Sequence, residues 1–431
     1  MHHDLSGRSG RGWLQAPSLA GRRTRYGVFF ATYLYQGLIA GFSLTALANH
    51  LAAHGVAATE VGFHFALAGL PWTLQPILWG PLVDRSGDRR MGRRRPFAVA
   101  AILGCHATIA LMLLLGIDQV GLLGLAFLVH SLFASLLDTA CDRLIMDHVP
   151  AAELGRVSAF TRAGFVAGTS LSAAGLGWML AGYGLSVSLS ALLAAGILAS
   201  LPMFLVREAP DDALLHVARR GPPPRRVPFS RFLRRLGLAL RRKRALQLLA
   251  LCFGLDAALG LFELPFSIDL LQGRGWDPAT LSRLQAGLAL VSGTAGAFAI
   301  GLWSDRAGPV RPLRALLLAS VVTFVLAGIL IAAGLLGSAA PLILALTHAL
   351  PGLLIVALMP ALLQASRGRA GAATQFEVYM AAMNLGSVAG TALSGWLVPV
   401  LPLAALSGVV AAMFLGAFLL VGRGDLLAPR G

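Results

Sequence analysis

Three carboxylates and an arginine fall within ten residues of one apolar stretch, Asp138-Thr-Ala-Cys-Asp142-Arg143-Leu-Ile-Met-Asp147-His-Val-Pro150. Asp138 and Asp142 are one helical turn apart and share a face, and two carboxylates held close together suit the binding and release of a proton. Arg143 and Asp147 have the same spacing, which fits either a structural ion pair or a further part of the same path. In a second stretch Trp72, Gln75 and Trp79 recur at intervals of three and four, one polar and aromatic face that would line a solute path. The tryptophans also suit a membrane-interface belt, but Gln75 has no such explanation. Tyr35 and Gln36 offer a similar pair. Asp256 and Glu263 are seven apart, two turns on one face, with Arg162 as a candidate counter-ion from another stretch. Gln375, Glu377, Tyr379 and Asn384 follow near the C-terminus, and an unpaired Glu377 in an apolar helix must pair, face water or hold a proton. His64, His106, His130 and His348 are scattered without metal-ligand spacing. Their ordinary role is helix–helix hydrogen bonding, with His64 the one candidate for proton coupling. Cys105, Cys141 and Cys252 show no C-x-x-C pattern and suit small buried packing positions. No Walker A sequence, H-E-x-x-H or G-x-S-x-G is present, so neither enzyme chemistry, a cofactor nor a bound metal is expected.

The elements that carry these groups follow from composition. Of 431 residues, 57% are hydrophobic and only 13% charged, and the mean hydropathy is +0.75. Soluble domains are about 45–50% apolar and about 25% charged. The chain is therefore an all-helical polytopic membrane protein, which excludes a soluble multidomain enzyme, a disordered chain and a small disulfide scaffold. Apolar stretches lie near 27–49, 60–82, 97–116, 120–146, 156–180 and 185–206, then near 246–271, 281–303, 313–334, 339–365, 372–397 and 401–422. Twelve spans of roughly 20 to 22 residues would use about 260 positions.

Charge sets the expected orientation. The formal net charge of +16 points to topology and anionic lipid headgroups rather than nucleic acid, because the arginines cluster in alternate gaps. The N-terminal tail carries Arg8, Arg11, Arg22, Arg23 and Arg25, and the second gap has Arg85, Arg89, Arg90, Arg93, Arg94 and Arg95. The middle segment from Arg207 to Arg244 is strongly basic, and the eighth gap has Arg306, Arg311 and Arg314. The first, third, fifth, ninth and eleventh gaps contain no Lys or Arg. The expected organisation is a basic cytoplasmic tail at 1–26 without a cleavable signal, a six-helix bundle at 27–206, a basic cytoplasmic linker at 207–245, a second bundle at 246–422 and a cytoplasmic tail at 423–431. Phe229 to Arg244 reads as a basic amphipathic helix on an anionic leaflet.

Two phrases repeat across the halves. Gly80-Pro-Leu-Val-Asp84-Arg85 and Gly301-Leu-Trp-Ser-Asp305-Arg306 lie 221 positions apart, each ending a span and opening a basic loop. Such a repeat predicts two pseudo-symmetric six-helix halves with a site between them near the midplane. Here the chain resembles the major facilitator superfamily, whose loop signature is G-x-x-x-D-R-x-G-R-R; a short insertion precedes Gly92 in the first copy. The resemblance implies twelve transmembrane helices, alternating access and a gating role for Gly80, Asp84, Arg85, Gly92, Arg93, Arg94, Gly301, Asp305 and Arg306. An aspartate at a helix end can bond arginines and a neighbouring helix N-terminus, latching the halves.

Three phrases resemble a narrower branch: Gly69 to Arg85, Asp138 to Pro150, and Ala372-Ala-Thr-Gln375-Phe-Glu-Val-Tyr-Met-Ala-Ala-Met-Asn-Leu-Gly386. That branch holds AmpG-type muropeptide permeases, acetyl-CoA transporters and single-polypeptide siderophore permeases. Gln75 stands where AmpG-type permeases often have a lysine, and the chain ends soon after its twelfth span, a build more like the siderophore permeases. The resemblance implies a monomeric, proton-coupled importer of a small organic solute across a bacterial inner membrane, with a ferric siderophore as the leading substrate and a cell-wall fragment as the alternative. A non-transporting sensor on the same fold is the rival from another class.

Overall fold

A computed structural model describes residues 16–54, 56, 58–116, 119–221, 228–367 and 371–422, and the side chains of these except 48, 52, 53, 58–66, 120, 278, 279 and 282. Most of the basic tail, the run Pro222-Pro223-Pro224 and residues 423–431 lie outside the described residues.

The described chain is helical almost throughout, as a hydrocarbon environment demands: with no water to bond, backbone N–H and C=O groups must be satisfied within each segment. The first span is Arg22–Gly41, continued through a π-helical turn at Phe42–Leu47 into Ala48–Ala53. The second, third and fourth are Ala58–Asp84, Arg95–Leu115 and Val120–His148. The fifth begins at Leu154 and passes a π-helical turn at Ser172–Leu176. The fifth and sixth spans meet at Gly184, whose φ of 82° and ψ of 179° interrupt the stretch Gly177–Leu205. No residue with a Cβ adopts that conformation cheaply, so one glycine replaces a loop. After the linker come Lys243–Ile268, then Pro278–Val291 continued through Ser292–Gly296 into Ala297–Ala307, and then Val310–Ala332, Leu336–Ser366, Ala372–Leu397 and Leu403–Gly422.

Each half is built around one very close helix pair. Gly37 and Gly41 of the first span lie against the backbone of Phe165 and Thr169 in the fifth, where a Cβ on Gly41 would come within 2.3 Å of the Thr169 carbonyl oxygen. Gly386 and Gly390 of the eleventh span meet Phe253 and Ala257 of the seventh in the same way, with 2.1 Å from a Cβ on Gly390 to the Ala257 oxygen. Small residues let backbones approach in a membrane, where dispersion rather than water exclusion drives association. The Gly164, Gly168 stripe of the fifth span is spent on this contact.

The stretch after the sixth span is strapped to the first half. Arg207 exchanges backbone hydrogen bonds with Leu19 (2.9 Å) and Pro17 (2.8 Å), and Arg90 does so with Ala213 (2.7 Å) and Ala218 (2.9 Å). The buried Glu208 carboxylate accepts from the N–H groups of Arg94 and Arg95, both at 2.8 Å, capping the third span where free N–H groups and the helix dipole favour an anion. Helix Phe229–Leu240 follows, its Phe232 against Gly371 and its Phe229 beneath the Arg85 guanidinium at 5.3 Å.

Candidate functional site

Two aspartates close the face of the bundle that carries the linker. Asp84, at the end of the second span, accepts from the N–H groups of Ala373 (3.0 Å) and Thr374 (2.9 Å) and from the Thr374 hydroxyl (2.8 Å), all at the start of the eleventh span in the other half. Asp305, at the end of the eighth span, accepts from the N–H groups of Gly155 (2.8 Å) and Arg156 (3.2 Å) and from Arg156 Nε (2.5 Å), at the start of the fifth. Each is a carboxylate on a helix N-terminus, where unsatisfied donors and the dipole both favour negative charge. Glycine makes room at both. A Cβ on Gly80 would lie 2.6 Å from Thr374 Cα, and one on Gly155 would lie 2.3 Å from the Gly301 oxygen. Arg367, just past the tenth span, adds a third tie by donating to the carbonyls of Met146 (2.9 Å) and Val149 at the end of the fourth.

The other residues of the repeated phrase have different duties. Arg94 is fully buried within the first half, bonded to the Val83 carbonyl, Ser86 Oγ (2.8 Å) and Asp147 (3.2 Å). Burial, with Arg143 and Arg93 nearby, lowers its guanidinium to about 10, so it stays charged at neutral pH. Arg93 donates to the Ser86 carbonyl at 3.1 Å, Gly92 turns the loop at φ 101° against Glu208, and Arg306 is exposed. Arg143 joins the latch region rather than the cavity, 3.9 Å from Asp84 and 3.1 Å from Asp147.

Above this closure lies a cavity of about 790 Å³ between the halves. From Asp142 its lining runs to Leu44, Gly69 and Phe127, toward the ends of the first, second and fourth spans opposite the linker. The first half supplies most of its polar surface, including Tyr33, Gln36, Gln75, Asp138, Asp142 and Arg162; the second supplies Ile355, Met359, Met380 and Val388, with Asn384 and Ser387. Tyr33 donates to Asp142 at 2.7 Å, and Gln75 donates to Asp138 at 3.2 Å and to the Ser135 carbonyl at 3.1 Å. At the cavity floor Glu377 of the eleventh span meets the two aspartates, with one oxygen from each of the three carboxyls within 4.8 Å of the others. Glu377 is fully buried, and neither of its oxygens makes a hydrogen bond of normal geometry, although the Thr139 hydroxyl lies near enough to act on it.

Several expected site residues fall elsewhere. Tyr35 lies inside the first half, edge-on to His106 at 5.4 Å; two residues from Tyr33 is about 200° around a helix, so only one of them can share the face of Gln36. Trp72 lines the cavity, whereas Trp79 donates to Ser135 Oγ at 2.9 Å in the contact between the second and fourth spans. Gln375 bonds Tyr379 at 2.7 Å within its own helix. Arg162 feels the charge of Asp256, but no ion pair within 4 Å joins them, and Glu263 lies 3.5 Å from His348 instead. His64 stands on the second span, with its side chain outside the described residues. Helix–helix hydrogen bonding does not hold for His130, which is buried beside the cavity with both ring nitrogens unpartnered. Tyr33 and Arg367 are not singled out from sequence, and His130 is read there only as a packing histidine. The i, i+3 relation of Tyr33 to Gln36 was an available signal for the first, and the other two had none.

No curated protein matches the chain. Among solved structures it is similar to the human organic anion transporter MFSD10 (TETRAN), at 19% identity over 93% of this chain and 99% of that one, with a TM-score of 0.67. A bacterial homologue of the iron transporter ferroportin in its outward-facing state gives 15% identity, 93% and 99% coverage and a TM-score of 0.62. A single-residue variant of the E. coli fucose:proton symporter FucP gives 12%, 92% and 97%, and 0.69. At such identities the likeness establishes the fold: two six-helix halves around a central cavity. The family model described as Major Facilitator Superfamily matches residues 27–376, and with the repeated Asp84 and Asp305 latches this places the chain as a member of the Major Facilitator Superfamily of membrane transporters.

Proposed function

We propose that the protein is a proton-coupled importer of an organic solute, working by alternating access across a bacterial inner membrane, with a ferric siderophore as the substrate class. The observation that carries this reading is the cavity between the halves, with paired acids at its floor and the Asp84 and Asp305 ties closing the linker face beneath it. The positive-inside rule makes the arginine-rich linker face cytoplasmic, so the closed end faces the cytoplasm and the cavity lies on its outer side, a state that import and export share; the direction of import rests on the resemblance to the permease branch. Its volume falls in the ~300–1,000 Å³ range of pockets for compact organic ligands. A largely apolar lining with its polar groups gathered on the first half suits an amphiphilic chelate, and the Arg162 guanidinium suits an anionic one. Asp138 and Asp142, each held by a neutral donor, suit proton exchange. The tail and linker as basic cytoplasmic segments, the two-bundle division at 27–206 and 246–422, contact with anionic inner-leaflet lipids and a monomeric state complete the proposal.

The test is uptake of radiolabelled ferric siderophores into vesicles, with anhydromuropeptides as the comparison set, with and without an imposed proton gradient. Gradient-dependent chelate accumulation supports the proposal, and accumulation of the sugar-peptide moves the substrate to a cell-wall fragment. Loss of flux in Asp138→Asn and Asp142→Asn separates a transporter from a sensor, for which both substitutions would leave signalling intact.

A further inference from the structure

We propose that Asp138, Asp142 and Glu377 form a binding site for a divalent, oxygen-preferring metal cation, held between the two halves while the linker face is closed. The geometry is that of a ligand set. Three carboxyl oxygens lie within 4.8 Å of one another, so a common centre is at most about 2.8 Å from each, close to the ~2.3–2.6 Å of calcium–oxygen bonds.

Charge requires an occupant of this floor. Among the described residues no arginine, lysine or histidine forms an ion pair with any of the three: Arg143 serves Asp84 and Asp147, and Arg156 serves Asp305. Like charges this close repel strongly in a low-dielectric interior, so neutralisation must accompany closure. The Glu377 carboxyl is fully buried and aimed at the two aspartates, and neither of its oxygens accepts a hydrogen bond of normal geometry, the Thr139 hydroxyl acting on it only weakly. A cation at the common centre engages Glu377 and both aspartates together.

The surroundings are those of a prepared site. Tyr33 fixes Asp142 and Gln75 fixes Asp138, the outer-shell bonding that orients metal ligands. An all-oxygen set selects magnesium, calcium or manganese over softer ions. Two ligands come from the fourth span and one from the eleventh, so the site is whole only while the halves meet at this face. Because metal ligands must be deprotonated, protons and metal compete for the same carboxyls, and acidification would release the cation as it loads protons.

The experiment is Mn2+ titration of the purified full-length protein, followed by electron paramagnetic resonance, with Ca2+ and Mg2+ as competitors. The expected result is one Mn2+ per chain at neutral pH, displaced on acidification and weakened at least ~10-fold in Glu377→Gln and Asp142→Asn. Monodisperse elution and wild-type helicity of each variant exclude misfolding as the cause. Absence of Mn2+ binding by the wild type, or unchanged affinity in both folded variants, overturns the proposal. The titration contains no solute, so its failure leaves the transport reading standing.

Discussion

Asp84 and Thr374, 290 positions apart in the chain, are joined by two hydrogen bonds to one carboxylate oxygen, from the Thr374 backbone N–H at 2.9 Å and from its hydroxyl at 2.8 Å. Asp305 repeats the arrangement on Gly155 and Arg156. Replacing either aspartate with asparagine keeps the shape and removes the charge. Hydrogen bonds to a charged group contribute about 1.5–3 kcal/mol, so Asp84→Asn and Asp305→Asn should each lower the linker-closed population roughly tenfold or more. Folding should be intact and transport slower. Distances between spin labels on the two halves give the population, and an unchanged distribution would remove the latch.

Glycine at 155 and 301 is what lets the fifth and eighth spans touch. A methyl group on either meets a carbonyl oxygen at 2.3 or 2.4 Å, and overpacking of this kind costs about 1–3 kcal/mol. Gly155→Ala and Gly301→Ala should hold the linker face open while each half keeps its helices. Labelling of cysteines placed on this face should rise in the variants; labelling at wild-type rates would show that the contact yields.

Neighbouring tyrosines separate path from scaffold. Tyr33→Phe removes the donor to Asp142, a loss of about 1.5–3 kcal/mol for a bond to a charged group, and uptake should fall about tenfold or more. Tyr35→Phe removes a buried hydroxyl whose polar neighbour is the weakly bonding Cys105 thiol and should leave uptake and melting temperature near wild type. Equal effects of the two changes would contradict the assignment of Tyr33 to the path.

The fifth-to-sixth connection is a stability test without functional confusion. Gly184 has φ 82°, and forcing a side chain into such a region costs about 1–3 kcal/mol. Gly184→Ala should lower the melting temperature of the purified protein without changing solute binding. A melting temperature unchanged from wild type would mean that the kink relaxes.

What sequence carried and what it did not follow from the range of each interaction. Asp138 and Asp142 were legible because i, i+4 spacing is local, and the latch aspartates because a repeat exposes them. Helix number was legible because the bilayer sets span length. The meeting of Glu377 with the aspartates was not, since it depends on how two halves dock across more than 200 positions. The choice of Tyr33 over Tyr35 depends on helix rotation, which only the partner helices decide. In the second-gap arginine cluster, charge alone hides that Arg94 is buried while Arg93 remains partly exposed.

Because both aspartates grip backbone N–H groups, much of the closure reads the opposing main chain, with the Thr374 hydroxyl and the Arg156 guanidinium as its side-chain contributions. At positions 155, 156 and 373 the donor is the main chain, and every residue except proline offers it. A substitution at Asp84 or Asp305 therefore loses main-chain donors that no change among the opposing side chains can replace.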